Sequence, residues 1–214
     1  MTREVDQVDG LADAILQRFN GERFIVCLAG APGSGKSTFA EKLVEKLNVG
    51  HAEQATLLPM DGYHYDDIVL DDMGRKARKG ASDTFDVGGL DSILHRLRGG
   101  REDRIAAPIF DRSIEIARAG ARLIPLSTRL IVVEGNYLLL DDEPWIRLRQ
   151  HFDVSVFIDV PEDILRERLM RRWLELNFSQ EAARKKVEEN DLLNARMVIS
   201  NSSNPDIRID GTRP

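Results

Sequence analysis

Cysteine is nearly absent: the chain of 214 residues has one, Cys27. No disulfide can close within it, so the fold must rest on a packed core, and a reducing compartment suits it. An excess of positive charge is missing too. The 30 Lys and Arg are outnumbered by 36 Asp and Glu, for a net charge of -6, which repels a polyanion and argues against nucleic acid as a partner. Neither the apolar share, 42%, nor the charged share, 31%, is extreme, and ordinary values of both exclude a disordered, collagen-like or membrane-spanning chain. Residues 1–21 lack the basic-then-apolar order of a secretory leader and alternate charges with isolated apolar residues. The expected location is therefore the cytoplasm, with no membrane insertion. The length fits one domain, large enough to bury about 70–75% of the surface its unfolded form exposes.

Apolar residues at Val5, Val8, Ala12, Ile15, Leu16 and Phe19 have the three-and-four spacing of an amphipathic helix. Phe24–Ala29 is a short, unbroken apolar run, which predicts a buried parallel strand with Cys27 as a small core residue. A helical pattern over Lys36–Leu47 and a strand over Ala55–Met60, despite Pro59, complete a βαβ unit. Arg129–Val133 and Val154–Val160 are further β-branched runs, each followed by a helical pattern, and Ile207–Ile209 offers a last strand. The alternation predicts an α/β fold around a covered parallel sheet. Ala106–Pro125 reads as a small hairpin turning around Ala119–Gly120 and standing off the sheet, set apart from the preceding helix by Gly99–Gly100. Pro161 opens a helix whose stretch Leu165–Leu176 carries Arg166, Arg168, Arg171 and Arg172, and a second charged helix runs from Gln180 to about Met197. No repeat or linker divides the chain. It reads as a single domain over residues 1–214, with an insertion at about 62–128 and a helical lid at about 165–195.

The strongest signal is Gly30-Ala31-Pro32-Gly33-Ser34-Gly35-Lys36-Ser37, which fits G-x-x-x-x-G-K-[ST] between a strand and a helix. Glycines let backbone N–H groups converge on phosphate oxygens at the positive end of the helix, where Thr38 follows. Lys36 would neutralise the β- and γ-phosphates and Ser37 would ligate Mg²⁺. Glu134, at the end of the apolar run 130–133, is the matching acidic anchor for the metal, since sites gather at the carboxyl ends of strands in open α/β sheets.

The second strand ends at Met60-Asp61-Gly62-Tyr63-His64, which sets Asp61 at the same edge. Asp61 can accept a proton from an alcohol and approach Mg²⁺ through water. Tyr63 and His64 are candidate acceptor contacts, as are Asp86 and the pair Asp111-Arg112, the latter for hydroxyl and phosphate. The run Arg75, Lys76, Arg78 and Lys79 reads as a solvated surface that approaches the reaction centre if its loop folds inward. Arg168 shares a helix face with Arg171 and Arg172, a face that could close on phosphates. Trp173 reads as packing.

Taken together, GAPGSGKS, MDGYHYDD, the Ser82–Asp86 segment, PIFDRSIEIARAG, VVEGNYLLL and RERLMRRW resemble the uridine kinase, phosphoribulokinase and pantothenate kinase group of P-loop kinases. The likeness spans about residues 25–210. Within the group the chain is similar to compact bacterial proteins described as fructose-transport-system kinases or nucleoside-kinase-like, above all in EENDLLNARMV. The resemblance implies a P-loop NTPase fold with a five-stranded parallel sheet, ATP with Mg²⁺ as donor, and a small hydroxylated acceptor: a sugar such as fructose, or alternatively uridine, another nucleoside or pantothenate. It makes Asp61 the catalytic aspartate and Glu134 the strand-end acid, with Ser37, Asp61 and Glu134 around the metal. It also sets Asp86, Asp111 and Arg112 at the acceptor pocket, Arg168 and Arg172 on the lid, and Asn190 and Asn194 facing the site. A homodimer and a functional link to a sugar transport system are further partners it leaves open. The histidine that uridine kinases often carry after an acceptor Tyr-Asp is missing, this chain having Phe110-Asp111-Arg112-Ser113 and Glu115. From another class, a regulatory GTPase matches D-x-x-G at Asp71-Asp72-Met73-Gly74, yet no N-K-x-D follows to choose guanine. A nucleotide sensor of a transport system, binding ATP without turnover, is a third reading.

Overall fold

The apolar runs become strands because they can bury both faces. A computed structural model describes residues 7–50 and 54–212. The first positions of the expected lead-in helix, including Val5, lie outside the described residues. In chain order the elements are α1 (Gln7–Arg18), β1 (Phe24–Gly30), α2 (Lys36–Leu47), β2 (Ala55–Pro59), α3 (Asp67–Asp72), α4 (Val87–Gly99), β3 (Arg104–Asp111), β4 (Ile116–Pro125), β5 (Leu130–Gly135), β6 (Val154–Asp159), α5 (Glu162–Glu175), α6 (Gln180–Lys186), α7 (Leu192–Asn201) and β7 (Ile207–Asp210). The sheet is parallel throughout and ordered β2-β5-β1-β6-β7, while β3 and β4 form a separate antiparallel pair. This is an α/β fold of the P-loop NTPase type.

Every residue of β1 and β5 is buried, as expected of central strands covered on both faces. Cys27 is fully enclosed there, and burial pushes its thiol well up, so it is an inert core residue. Register decides where the chemistry meets. Leu28 of β1 and Pro59 of β2 both stand beside Glu134 of β5, so the carboxyl ends of three adjacent strands finish at one level. The segments leaving those ends are neighbours although they are far apart in the chain.

The hairpin departs from expectation. Its turn is at Arg112–Glu115, while Ala119 and Gly120 lie inside β4. Register shifts between Ala107 paired with Arg122 and Ile109 paired with Arg118. Pro108, between them on β3, has no N–H for the ladder, and the extra residues of β4 are absorbed where Gly120 takes φ +65°. The glycine therefore marks a bulge and not the reversal. The strand expected over Ala55–Met60 stops at Pro59, and Met60–Tyr63 winds into a single 3-10 turn. The expected helix from Gln180 also contains a wider π turn over Val187–Asp191, then continues to Asn201.

Candidate active site

The phosphate cradle starts where β1 ends. Ala31 and Pro32 are buried, and the Ser34 N–H donates to the Ala31 carbonyl at 3.1 Å, folding the loop back on itself. Gly33 and Gly35 have φ of +83° and +84°, a conformation that a side chain would strain. Gly35 caps α2 without any side-chain hydrogen bond, and the space beside its Cα holds no atom within 4 Å. The first amides of α2, at the positive end of the helix, thus have no side-chain cap. Lys36 and Ser37 are half-buried on that first turn, and Thr38 is exposed beside them. The Ser34 hydroxyl is buried without a hydrogen-bond partner in the protein. An uncapped helix start with an orphan hydroxyl fits a phosphate.

Glu134 is 4% exposed and accepts a long hydrogen bond, 3.4 Å, from the Ser37 hydroxyl. Burial pushes its carboxyl up, the Lys36 ammonium pulls it down, and Asp61 pushes it up again. Lys36 and Asp61 thus both act on the carboxyl that the Ser37 hydroxyl touches. Two carboxylates and a hydroxyl suit Mg²⁺, which keeps waters and takes further oxygens from phosphates. Among the described residues no group of three or more His, Cys, Asp or Glu gathers as a metal site.

Asp61 sits on the turn after β2 and accepts a charge-assisted hydrogen bond of 2.8 Å from Arg112 at the hairpin tip. His64 holds that turn. Its backbone N–H and its Nδ1–H both donate to the Asp61 carbonyl, at 3.2 and 2.8 Å, and its ring lies between Phe85 and Phe110 with centroids 4.0 and 4.7 Å away. Burial lowers its pKa, so the imidazole stays neutral and the tautomer is set by the carbonyl it serves.

Other candidates have local commitments. Tyr63 is buried with its hydroxyl unpartnered. Asp86 caps α4 by accepting from the Gly89 N–H at 2.8 Å. Asp111 binds Ser113 and Arg118, which hold its carboxyl below the usual range. The Asp71–Gly74 stretch lies at the exposed end of α3, with Asp71 paired to Lys76 at 2.9 Å, away from the cradle's own elements.

Helix α5 packs against the loop after β1. An added Cβ at Gly33 would stand 3.0 Å from Leu169. Arg168 reaches the Ser34 carbonyl at 3.4 Å and the Gly211 carbonyl at 2.9 Å, tying the loop to the chain after β7. Arg172 is exposed beside the Trp173 ring, and Arg171 pairs with Glu167. Trp173 packs on Phe178 and donates to Asp191 at 2.6 Å. The π turn directs Asn190 to the Lys79 carbonyl and Asn194 to the Gly80 carbonyl, at 3.4 and 3.5 Å.

Sequence reasoning missed what gathers at that loop. Tyr137 is fully buried and donates to the Gly80 carbonyl at 2.6 Å. Lys79 pairs with Asp67, donates to the Glu115 carbonyl and lies 5.3 Å from the Phe110 centroid, so it faces inward from the basic run. The signal for Tyr137 was its place just beyond the strand that ends in Glu134; nothing local singled out Lys79.

The sequence model of the Phosphoribulokinase / Uridine kinase family matches residues 25–189. A Schizosaccharomyces pombe protein named as a candidate uridine kinase is 33% identical over 199 residues, covering 90% of this chain and 85% of that one. The uncharacterized Escherichia coli protein YggC is 36% identical over 203 residues, covering 93% and 83%. The crystal structure of a Silicibacter sp. TM1040 protein, named as a candidate fructose transport system kinase, has a TM-score of 0.89 and 37% identity, covering 95% of this chain and 99% of that one.

Proposed function

Because the chain belongs to the phosphoribulokinase / uridine kinase family of P-loop kinases, we propose that it transfers the γ-phosphate of Mg·ATP to a hydroxyl of a small sugar or polyol-like metabolite. The observation that carries the reading is the shared sheet edge: the uncapped loop after β1, Glu134 at the end of β5 and Asp61 just after β2. A nucleotide-binding protein needs the first. The acid beside the Ser37 hydroxyl goes with the metal of the nucleotide; the second carboxylate, Asp61 paired with an arginine, is what an alcohol acceptor adds.

In the proposed reaction, an acceptor oxygen forms a bond to the γ-phosphorus as the bond from that phosphorus to the β–γ bridging oxygen breaks. The electron pair leaves on ADP, and the hydroxyl proton passes to the Asp61 carboxylate. The amides of the 30–37 loop and Lys36 hold the phosphates, and Arg112 is positioned to exchange Asp61 for a phosphoryl oxygen. Ser37, Glu134 and Asp61 would hold Mg²⁺, which offsets the charge spread over the transferring group when bound. The proposed unit is a single cytoplasmic domain, with the acceptor side from residues 62–128 and the lid from 165–195. Among the described residues no helix is long and apolar enough to cross a membrane.

The test is ADP release from Mg·ATP, or Mg·GTP for comparison, in the presence of sugars, polyols, nucleosides and pantothenate. Lys36→Ala should abolish turnover. Asp61→Asn should keep nucleotide affinity and lower kcat by about 10³-fold, within the range for a lost general base. Full acceptor turnover in the Asp61 variant, or GTP preference with no acceptor phosphorylated, would overturn the proposal.

A further inference from the structure

The basic run before Ser82 is unevenly neutralised. Arg75 pairs with Asp83, Lys76 with Asp71 and Asp67, and Lys79 with Asp67. Arg78 makes no ion pair among the described residues. Its guanidinium donates to two uncharged oxygens, the Glu189 carbonyl at 2.6 Å and Asn194 Oδ1 at 3.1 Å, and Asn194 is 2% exposed. The Asp191 carboxyl has Arg78 among the cations that act on it. It is turned to the Trp173 indole, shared with Arg172 and Lys186, and pushed toward its neutral form by burial. One weakened acid therefore faces three cations.

This cation belongs to the acceptor side. The Gly80 carbonyl, two residues on, receives both Asn194 and the Tyr137 hydroxyl. The Tyr137 ring in turn packs on Phe85, 5.7 Å between centroids, and Phe85 on His64, 4.0 Å, the residue that holds the Asp61 turn. Beside it the Asn190 Oδ1 is buried with no donor, while its Nδ2 donates to the Lys79 carbonyl. The loop is thus clamped by its carbonyls, and an arginine with five N–H groups has two in use. A half-buried guanidinium fixed by neutral acceptors has lost part of its hydration without gaining a counter-ion, which an incoming anion restores.

Resting on the kinase reading above, we infer that the acceptor alcohol carries an anionic group, a carboxylate or a phosphate monoester, and that Arg78 is the residue that selects it. The planar guanidinium fork suits either anion. A neutral sugar leaves the fork unmatched, so the inference narrows the acceptor to hydroxy acids and sugar phosphates.

The experiment compares matched acceptors with the full chain and Mg·ATP. Glycerate against glycerol and gluconate against glucitol read the carboxylate; fructose 1-phosphate against fructose reads the phosphate. In the wild type, kcat/KM for the charged member of at least one pair should exceed that for its neutral partner by about 10²-fold. Arg78→Gln should collapse that ratio to below about tenfold with the KM for ATP unchanged, Arg78→Lys should retain part of it, and Lys76→Gln, an equal charge change on a paired residue, should leave it intact. A loosened loop would lower both members alike and spare the ratio, so an unchanged ratio in Arg78→Gln overturns the inference. A raised KM for ATP with the ratio intact overturns it too and gives Arg78 to the nucleotide. Turnover of neutral acceptors at least as fast as charged ones overturns it while the kinase reading stands. No ADP release above the acceptor-free rate with any acceptor of either charge overturns both.

Discussion

Gly62→Ala places a methyl group where the turn that carries Asp61 crosses the hairpin. An added Cβ at Gly62 would stand 2.6 Å from the Pro108 carbonyl oxygen and 2.9 Å from its carbon. Ordinary contact begins near 3.4 Å, so one backbone must retreat by about 0.8 Å. Neither side is a flexible side chain. The Gly62 segment is pinned by His64 on the Asp61 carbonyl, and Pro108 lies at the register shift of β3 and β4. Forcing such a contact costs about 1–3 kcal/mol, and each kcal/mol lowers Tm by about 2–4 °C for a domain of this size. The larger effect falls on chemistry. The retreating hairpin carries Arg112 away from Asp61, and a misplacement approaching 1 Å at reacting groups costs about 10² in kcat. The KM for ATP should hold, because the cradle stands on β1 and α2. The assay is acceptor-dependent ADP release alongside a thermal melt. Gly99→Ala serves as control, since a Cβ there meets nothing within 4 Å and the change should be neutral or slightly stabilising. Wild-type kcat and Tm in Gly62→Ala, or a loss expressed in the KM for ATP, would refute the reasoning.

The remaining predictions concern titration. Burial raises the Glu134 pKa above the ordinary 4.5, so the folded chain holds that proton more tightly than the unfolded one and loses stability as pH rises through 4.5 toward the raised value. Glu134→Gln removes this penalty: nucleotide-free protein at pH 7 should melt about 2 °C or more above wild type, while stabilisation by Mg·ATP and turnover are lost. A Tm at or below wild type would show that the buried charge is already fully offset. For His64 the sign is reversed. Its pKa is lowered from 6.5 by burial, so the unfolded chain takes the proton first, and stability should fall as pH drops below 6.5. His64→Asn, able to donate to the Asp61 carbonyl without titrating, should flatten the melting profile over that range; an unchanged slope would assign it to other groups.

Short-range order explains what was legible. The helix expected over Lys36–Leu47 ends at those residues, and the strand at Phe24 starts there, because glycines and the switch of apolar period bound both locally. Asp61 and Glu134 were expected at strand ends, and both stand at the carboxyl edge of the sheet. Where pairing across distance decides, local signals misled. Gly120 looked like a turn because glycine marks both turns and bulges, and only the partner strand, with Pro108 opposite, separates the two. That Asp86 also caps α4 through the Gly89 N–H depends on the start of that helix.

The residue order itself determined the cradle, the alternation of strand and helix, and the two acids that end their strands, since each depends on neighbours within a few positions. Tertiary structure alone decided that Arg112 meets Asp61 across 51 positions, that Asn190 and Asn194 clamp the 78–80 loop, and that among the described residues Arg78 pairs with no carboxylate while Arg75, Lys76 and Lys79 do. A charge acquires its counter-ion from whatever packing brings within about 4 Å, and that distance is not written in any local stretch of chain.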